Sequence, residues 1–420
     1  MKTHQKTLKN GLRIQALELP GTNVVTTLVL VGAGSRYEEE SISGISHFTE
    51  HMFFKGAKKY KKPKDVSQVV DSFGGEFNAF TGKEYAGYFI KSGKENLEKS
   101  LDVLSDMLLF SKFDSKEIEK ERGVILEEMA MYLDAPMYQI SWDFERLVFG
   151  NQPLGRDQIG SKKLIKTIKQ QQFLDYKNSL YVPENIVICL SGAVTKKTIN
   201  LVEKFFQMPT QKQSRTPYKF DTTLSTQKYK LRTKKTEQYH VSFGVKTDAE
   251  MDKSFPTLKI LSTILGGNMS SRMFQHVREK KGLCYSIRTQ VDEFSDTGLL
   301  TTRAGVKLKD NLQAVKAIRS EYDKIVKNGI TLEELENAKN YLCGKIDLQT
   351  EDTEAVAHEY AKNELLYKIH RSFDNWKDLI QKVKKEEVDL LAQKLLQPKN
   401  FRFAGIGPAI DEEALLKLIS

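Results

Sequence analysis

The sequence contains few cysteines, and their small number excludes two classes of protein. Only three of the 420 residues are cysteine, namely Cys189, Cys284 and Cys343. Three cysteines cannot build a disulfide framework, and they cannot by themselves form a four-cysteine zinc site. A reducing compartment is the simplest setting for such a chain, so we expect a cytoplasmic location.

The sequence also lacks long apolar runs. The opening segment, MKTHQKTLKNGLRIQALELPG, has no apolar core and no small-residue cleavage site, so it is not typical of a signal peptide. The longest early apolar stretch, 24–31, is far shorter than the roughly 20 residues that span a bilayer. We therefore expect a soluble chain without a membrane partner.

Basic residues exceed acidic residues, 65 against 55, which gives a formal net charge of +10. Nucleic-acid binding would require basic residues clustered with stacking aromatic residues or within a known module. The densest basic tract, 228–235, lies in no such context. A lysine-rich solvated surface explains the charge, and we predict no nucleic-acid partner.

The length of the chain and a polar, proline-bounded segment near its middle indicate two domains. A chain of 420 residues exceeds one ordinary domain of roughly 100–200 residues. The segment 209–217 begins and ends with proline, is polar and has no periodicity, which is typical of a linker. We predict an N-terminal domain at 1–208, a linker at 209–217 and a C-terminal domain at 218–420.

The two halves share a layout that predicts a duplicated α+β unit. Each half begins with an apolar strand, at 24–31 and at 240–245, and continues with a helical stretch that contains a Gly-Gly pair. More strands and a long amphipathic helix follow. Asp114 and Thr331 are good N-cap residues for the two long helices, and the acidic first turns suit the helix dipole.

The first chemical motif is His47-Phe-Thr-Glu50-His51. In a helix, residues four apart lie about 40° apart around the axis, so both imidazoles project from one face. Zinc binds neutral imidazoles at this spacing, and Glu50 borders the same face, where it can act as general base. The order H-x-x-E-H occurs among zinc proteases. The alternative is a pair of surface histidines on an amphipathic helix.

A catalytic zinc site needs a third protein ligand, and the helix after Asp114 offers one. Two glutamates interrupt an apolar stripe whose spacing is i, i+3, i+7, i+10: Ile118, Glu121, Ile125 and Glu128. A buried carboxylate without a cation is costly, so we predict Glu128 as the ligand. A core carboxylate satisfied by an arginine or a backbone amide is the alternative.

The neighbouring glutamate has a different environment. Glu127 points about 100° away from Glu128, onto a face that it shares with Lys116 and Lys120. A solvated carboxylate is ordinary on such a face. Glu121 lies two turns before Glu128, where it can support the ligand shell by hydrogen bonding.

With these residues the sequence resembles the inverted-zincin, pitrilysin-type metallopeptidases over essentially its whole length. In that family the H-x-x-E-H motif is followed, some 75 residues on, by a segment similar to Glu-Arg-Gly-Val-Ile-Leu-Glu-Glu at 121–128. The resemblance implies that Glu128 is a zinc ligand and that Glu121 supports the ligand shell. It also implies one Zn²⁺ per chain.

Two further segments carry the resemblance. The segment 74–88 looks like the family's substrate-binding edge strand, with Asn78 and Ala79 at the substrate-contacting positions. From the residues alone, strands at 76–81 and 84–90 around Gly82-Lys83 are predicted, and an ordinary core hairpin is the alternative. The segment 265–285 looks like the family's C-terminal segment, in which Arg278 and Tyr285 would bind substrate or stabilise the transition state.

The second half contains no H-x-x-E-H motif, and Lys345 stands where the repeat would place Glu128. The resemblance implies a two-domain chain that forms half of a clamshell. A homodimer is expected, and a heterodimer with an inactive homologue is an alternative. The implied function is a zinc-dependent endopeptidase that cleaves extended peptides in a closed chamber. A non-catalytic structural or assembly subunit of the same family is the alternative function.

Overall fold

The computed structural model describes residues 1–222 and 227–419 of the chain. The chain divides into two compact units, and each consists of one β-sheet covered by helices. The first unit comprises Met1–Met129, Arg156–Tyr218 and Leu348–Ser372. The second comprises Ala130–Gly155, Lys219–Asp347 and Phe373–Ser420. This architecture confirms the α+β fold class.

The first sheet has six strands in the order β1-β2-β6-β3-β5-β4. These strands are β1 (Lys2–Thr7), β2 (Arg13–Glu18), β3 (Val24–Val31), β4 (Glu76–Thr81), β5 (Ala86–Gly93) and β6 (Ile186–Gly192). Only β2 and β6 pair in parallel, and the other neighbours are antiparallel. Strand β4 lies at one edge of this sheet, so one side of its backbone has no strand partner among the described residues.

The second sheet has five strands in the order β7-β11-β8-β10-β9. They are β7 (Tyr229–Thr233), β8 (Gln238–Thr247), β9 (Cys284–Glu293), β10 (Gly298–Lys307) and β11 (Arg402–Gly407). Strands β7 and β11 are parallel, and the remaining pairs are antiparallel. The apolar strands predicted at 24–31 and 240–245 correspond to β3 and to the middle of β8.

Helices α1 to α8 come from the first half of the chain. They are α1 (Ile45–Phe53), α2 (Pro63–Ser72), α3 (Leu97–Phe110), α4 (Ser115–Asp134), α5 (Pro136–Phe149), α6 (Lys162–Ile165), α7 (Gln170–Leu180) and α8 (Thr198–Phe205). The residues between α8 and 218 contain no helix or strand. The division of the sequence into 1–208, 209–217 and 218–420 stays a prediction.

The second half contributes seven α-helices among the described residues. They are α9 (Phe255–Ser262), α10 (Asn311–Asn328), α11 (Leu332–Thr350), α12 (Thr353–Tyr367), α13 (Phe373–Lys382), α14 (Lys385–Leu395) and α15 (Glu412–Ile419). Two π-helical segments, Thr263–Gly267 and Phe274–Glu279, lie between α9 and β9. None of the helices in the described ranges is both long enough and apolar enough to cross a membrane.

Each unit contains one helix from the opposite half of the sequence. Helix α12 packs on β3 and β6 of the first sheet, and α5 packs on β8 and β11 of the second. Helix α5 buries Ile140, Phe144 and Val148 against Leu299 and Ile406 of the second sheet. Burial of each such side chain stabilises the fold by about 1.5–3 kcal/mol, which accounts for the position of the helix.

Helix α1 is held by its apolar side. Phe48 is fully buried with its ring 4.8 Å from Phe173 of α7, and Phe53 is fully buried with its ring 5.3 Å from Tyr88 of β5. The opposite side of the helix carries His47, Glu50 and His51, all partly exposed. Because its apolar face is fixed in the core, the helix presents these three polar side chains in one direction.

Helix α4 begins where the sequence predicts. Asp114 Oδ1 accepts hydrogen bonds from the backbone N–H groups of Lys116 and Glu117, at 2.9 and 3.3 Å, which is the predicted N-cap. Ile118 and Ile125 are buried, and Glu127 is exposed. The predicted helical register of this segment is therefore confirmed.

Candidate metal centre

His47 and His51 lie one turn apart on α1, with ring centroids separated by 4.7 Å. Glu128 reaches the same point from α4. Its Oε2 atom lies 3.7 Å from His47 Nε2 and 3.5 Å from His51 Nε2. One ligand atom from each of the three residues lies within 4.8 Å of the other two. The two helices thus bring together the residues that the motif and the helical face single out.

These donor atoms fit a zinc ion. Glu128 Oε2 is buried, has no hydrogen-bond partner among the described residues, and stands too far from either imidazole to form a hydrogen bond. A buried acceptor in this state costs free energy unless a cation or donor satisfies it. Tetrahedral coordination with bonds of about 2.0–2.2 Å places ligand atoms roughly 3.3–3.6 Å apart, close to the 3.7 and 3.5 Å that separate Glu128 Oε2 from the two imidazole nitrogens. Two imidazoles and one carboxylate also leave a fourth position open.

Glu121 supports His51 from α4. The Nδ1–H group of His51 donates to Glu121 Oε1 at 2.8 Å, and Lys55 Nζ donates to the other oxygen, Oε2, at 2.6 Å. This arrangement fixes the imidazole tautomer and directs Nε2 towards Glu128. Burial opposes ionisation of Glu121, but these two partners outweigh it and lower the pKa of the carboxyl group. Glu121 is therefore an anion.

The two histidines differ electrostatically. Burial lowers the pKa of His47 to about 3, with a smaller contribution from His51, so His47 is neutral. Burial also lowers the pKa of His51, but the hydrogen bond to Glu121 and the nearby carboxylates of Glu50, Glu121 and Glu128 outweigh it, so the net shift is upward. Three carboxylates around one imidazole favour a positive charge at this point, as a metal ion would supply.

Glu50 lies beside the donor atoms and contacts the sheet. Its Oε2 atom accepts a hydrogen bond of 2.5 Å from Thr81 Oγ1, at the end of β4. Burial raises the pKa of Glu50, while the hydrogen bond from Thr81 and the charge of His51 oppose this shift. A carboxylate with a raised pKa can take a proton from water more readily than an exposed one.

A buried carboxylate anchors the beginning of α1. Glu38 accepts hydrogen bonds from the backbone N–H groups of Gly44 and Ser46, each at 2.8 Å, and from Ser46 Oγ at 2.5 Å. Gly44 is the N-cap residue, with φ of 98°. Glycine has no side chain that could accept a hydrogen bond, and Glu38 supplies the acceptor for these N–H groups. Glu38 thereby fixes the helix one residue before His47.

The edge hairpin differs from the predicted one at its second strand. Strand β4 covers the predicted 76–81, but β5 begins at Ala86, because residues 82–85 form a loop rather than a two-residue turn. Gly82 N donates to Tyr85 O at 2.8 Å, and Glu84 turns inward to pair with Arg36 at 2.7 Å. The buried ion pair removes Glu84 from the strand.

Asn78 and Ala79 lie in the middle of this edge strand. The N–H group of Ala79 donates to Asn78 Oδ1 at 2.9 Å, and the Asn78 side chain is exposed. Side chains alternate along a strand, so Phe77, Ala79 and Thr81 share the face of the sheet that packs against α1. The predicted substrate-contacting residues therefore lie on the strand that reaches Glu50.

Arg278 and Tyr285 belong to the second unit. Arg278 lies in the π-helical segment Phe274–Glu279, and its guanidinium group lies 4.4 Å from the ring centre of Phe274 and 5.8 Å from that of Tyr285. Tyr285 is 78% exposed at the start of β9. The guanidinium group of Arg278 and the ring of Tyr285 thus lie close together, and the phenol is exposed.

Three residues contact the candidate centre or its helix although no pattern in the sequence predicts these contacts: Glu38, Lys55 and Thr81. Thr81 and Glu50 are separated by 31 residues. Lys55 lies four residues after His51, a weak helical signal, but α1 ends before it. Glu38 stands in a non-helical segment where nothing in the sequence pattern distinguishes it from Glu39 or Glu40.

Comparisons with known proteins agree with this geometry. The family model described as insulinase, peptidase family M16, matches residues 13–160, and the one described as the peptidase M16 inactive domain matches residues 167–342. The first match contains the three donor residues. The second covers a segment without an H-x-x-E-H motif.

Relatives of similar length carry related names. A protein of Bacillus subtilis named "Uncharacterized zinc protease YmxG" is 35% identical over 406 residues, which covers 96% of this chain and 98% of that protein. "Uncharacterized zinc protease Rv2782c" of Mycobacterium tuberculosis is 32% identical over 406 residues, covering 96% of this chain and 92% of that protein.

Solved structures show the same fold. A protease from Helicobacter pylori superposes with a TM-score of 0.90 at 24% identity, covering 97% of this chain and 99% of that chain. A peptidase M16 inactive domain from Pseudomonas fluorescens gives a TM-score of 0.89 at 17% identity, covering 98% of each chain. The matches to two family models over most of the sequence, together with these full-length relatives, show that the chain belongs to peptidase family M16.

Proposed function

We propose that the chain is a zinc-dependent endopeptidase that hydrolyses extended peptides. The observation that carries this proposal is the convergence of His47, His51 and Glu128 on one point with Glu50 beside them. The relatives named zinc protease support the assignment of zinc as the metal. The proposed stoichiometry is one Zn²⁺ per chain, because only one such donor group occurs among the described residues.

The chemistry of the site divides between the metal and the protein. A zinc ion held by His47, His51 and Glu128 would supply a Lewis acid that polarises a peptide carbonyl and lowers the pKa of water. Glu50 takes the proton from the attacking water and then delivers it to the leaving amine. Glu121 holds His51 in the tautomer that offers Nε2 to the metal.

Strand β4 provides the proposed peptide-binding edge. An extended peptide can add to this edge by backbone hydrogen bonding, which accepts many sequences because the backbone supplies the contacts. Asn78 Oδ1 accepts from the Ala79 N–H group and so occupies the donor that a peptide carbonyl would use. Binding would exchange this internal hydrogen bond for one to the substrate. The preferred substrate is therefore an unstructured segment.

Arg278 and Tyr285 complete the proposed catalytic group. Arg278 can donate to a peptide carbonyl, and the exposed Tyr285 hydroxyl can donate to a developing oxyanion. The family resemblance implies that two chains form a clamshell around the substrate, and we propose a homodimer. Cys189 and Cys284 are buried free thiols, which suits the proposed cytoplasmic location.

Peptide hydrolysis by the purified chain tests the proposal. The chain alone, loaded with zinc, is incubated with a mixture of unstructured peptides, with and without a chelator, and the products are identified by mass spectrometry. We expect internal cleavage that chelation stops and zinc restores. A zinc-loaded chain that cleaves nothing would support the alternative, a non-catalytic subunit, or a heterodimer that needs a second gene product.

Mixing two inactive variants tests whether the site forms across two chains. Glu50→Gln and Arg278→Ala are combined under conditions that allow subunit exchange, which differently tagged subunits verify. In a homodimer with shared sites, each mixed dimer regains one site with both residues intact, so activity returns. If Arg278 serves the metal of its own chain, every site keeps one defect and activity stays absent.

A further inference from the structure

Thr81 connects the edge strand to the proposed general base. It is the last residue of β4, two positions after Ala79, and its hydroxyl donates to Glu50 Oε2 at 2.5 Å. No hydrogen bond from any other side chain to this carboxylate occurs within residues 1–222 and 227–419. One oxygen of Glu50 is thereby occupied, and the other, Oε1, is left to exchange a proton.

The position of Thr81 is itself fixed from two sides. Thr81 pairs with Ala86 in the β4–β5 ladder, and the following residue, Gly82, donates its N–H group to Tyr85 O at 2.8 Å. The ring of the preceding residue, Phe80, lies 5.5 Å from that of His358 on α12. A hydroxyl held by strand pairing and ring packing can hold a carboxylate in a single rotamer.

We infer that Thr81 is a positioning residue. Its hydroxyl orients the Glu50 carboxylate for proton transfer, in alignment with a peptide that pairs along β4. This inference rests on the proposed function. The observation that supports it is the position of the Thr81 hydroxyl, at the end of the edge strand, next to the carboxylate of Glu50. Thr81 is not one of the three metal donors and its hydroxyl donates to Glu50, so its effect is transmitted through Glu50.

Two substitutions at position 81 separate the hydroxyl from the shape of the side chain. Thr81→Val keeps the branched shape and removes the hydroxyl, whereas Thr81→Ser keeps the hydroxyl. Hydrogen bonds to charged groups are among the stronger ones, so kcat should fall by about 10- to 100-fold in Thr81→Val. KM should stay within about threefold, because Glu50 does not bind the peptide. Thr81→Ser should keep kcat within about threefold of wild type.

A matched control lies on α1 beside the base. Thr49 is fully buried, and its hydroxyl has no hydrogen-bond partner in the part of the chain that the structure describes. Thr49→Val therefore makes the same chemical change, one residue before Glu50, without removing a hydrogen bond. Its kcat should equal that of wild type within about twofold. Zinc content and urea unfolding are measured for all variants and should match wild type.

Each outcome has a defined meaning. Thr81→Val with a wild-type kcat, or Thr81→Ser with the full loss, would overturn the inference. A Thr81→Val variant that loses zinc or unfolds, while Thr81→Ser is active and stable, would show a structural role and also overturn it. An inactive wild type would remove the proposed function and this inference together, whereas an active wild type with an active Thr81→Val would remove only the inference.

Discussion

His51 donates its Nδ1–H group to Glu121 Oε1 at 2.8 Å, across 70 residues of sequence. The contact joins α1 to α4 and orients the Nε2 atom that faces Glu128. The two glutamates lie two turns apart on the same face of α4, and their contacts differ. Glu121 holds the His51 imidazole by a hydrogen bond, and we propose that Glu128 offers an oxygen to the metal.

Removal of this supporting carboxylate should weaken metal binding without abolishing it. We expect Glu121→Ala to lower zinc affinity by about 10- to 100-fold, because the His51 imidazole loses its fixed tautomer. Competition with a chromophoric chelator measures the affinity. Glu117→Ala, on the same helix but away from the histidines, serves as control and should keep wild-type affinity. Equal affinities in wild type and Glu121→Ala would contradict the assigned role.

Glu127 and Glu128 are adjacent and chemically identical, and only the helical face separates them. Glu127 is exposed, whereas Glu128 points at both histidines. We expect Glu127→Gln to keep wild-type zinc content and hydrolysis, and Glu128→Gln to lose both. Zinc content and turnover are measured on the same preparations. The reverse pattern would contradict the assignment of Glu128 as the third ligand.

Elemental analysis should find about one zinc per chain in the purified protein. The three donor residues form one group, so loss of two ligands leaves a single histidine, which cannot retain the ion. We expect the double variant His51→Ala, Glu128→Ala to contain less than about a tenth of the wild-type zinc. Unchanged zinc content in this variant would place the metal elsewhere.

The buried carboxylate of Glu38 should make stability depend on pH. Burial raises its pKa to about 7, against the partial compensation of its hydrogen bonds to Ser46 and Gly44 and of the charge of Arg156. Because the folded pKa lies above the ordinary value of 4.5, the protonated form favours folding. The contribution is complete below about pH 4.5 and is lost as the pH rises through 7.

Glu38→Gln, which does not titrate at this position, isolates the effect. From pH 4.5 to pH 8, the free energy of unfolding of wild type should fall relative to that of Glu38→Gln by up to about 3 kcal/mol. Urea unfolding at a series of pH values measures the difference. A relative gain of wild-type stability with rising pH would mean that the N–H groups at the start of α1 hold the carboxylate ionised.

Local periodicity predicted the parts of the site that lie on helices. The spacing of His47 and His51, and the stripe that contains Glu121 and Glu128, follow from helix geometry alone, and the structure brings these residues together. The fold class was also predictable, because the strands and the long helices carry clear patterns. The Asp114 cap is confirmed for the same reason.

Contacts between distant segments could not be predicted in this way. Glu38 and Thr81 reach α1 because the chain folds back, and neither residue carries a periodic signal of its own. The position of α12 on the first sheet and of α5 on the second was not predictable either. An amphipathic helix shows that it needs an apolar partner, but it does not show which sheet supplies one.

The role of Glu50 as general base in zinc-dependent hydrolysis is tested most directly by a comparison of wild type with Glu50→Gln, both loaded with zinc. The amide keeps the shape of the side chain but cannot take a proton from water. We predict equal zinc content and equal thermal stability for the two proteins, with turnover of an unstructured peptide lowered by about 10²- to 10⁴-fold in Glu50→Gln. Retention of more than about a tenth of wild-type turnover by zinc-loaded Glu50→Gln would contradict the assignment of Glu50 as the general base.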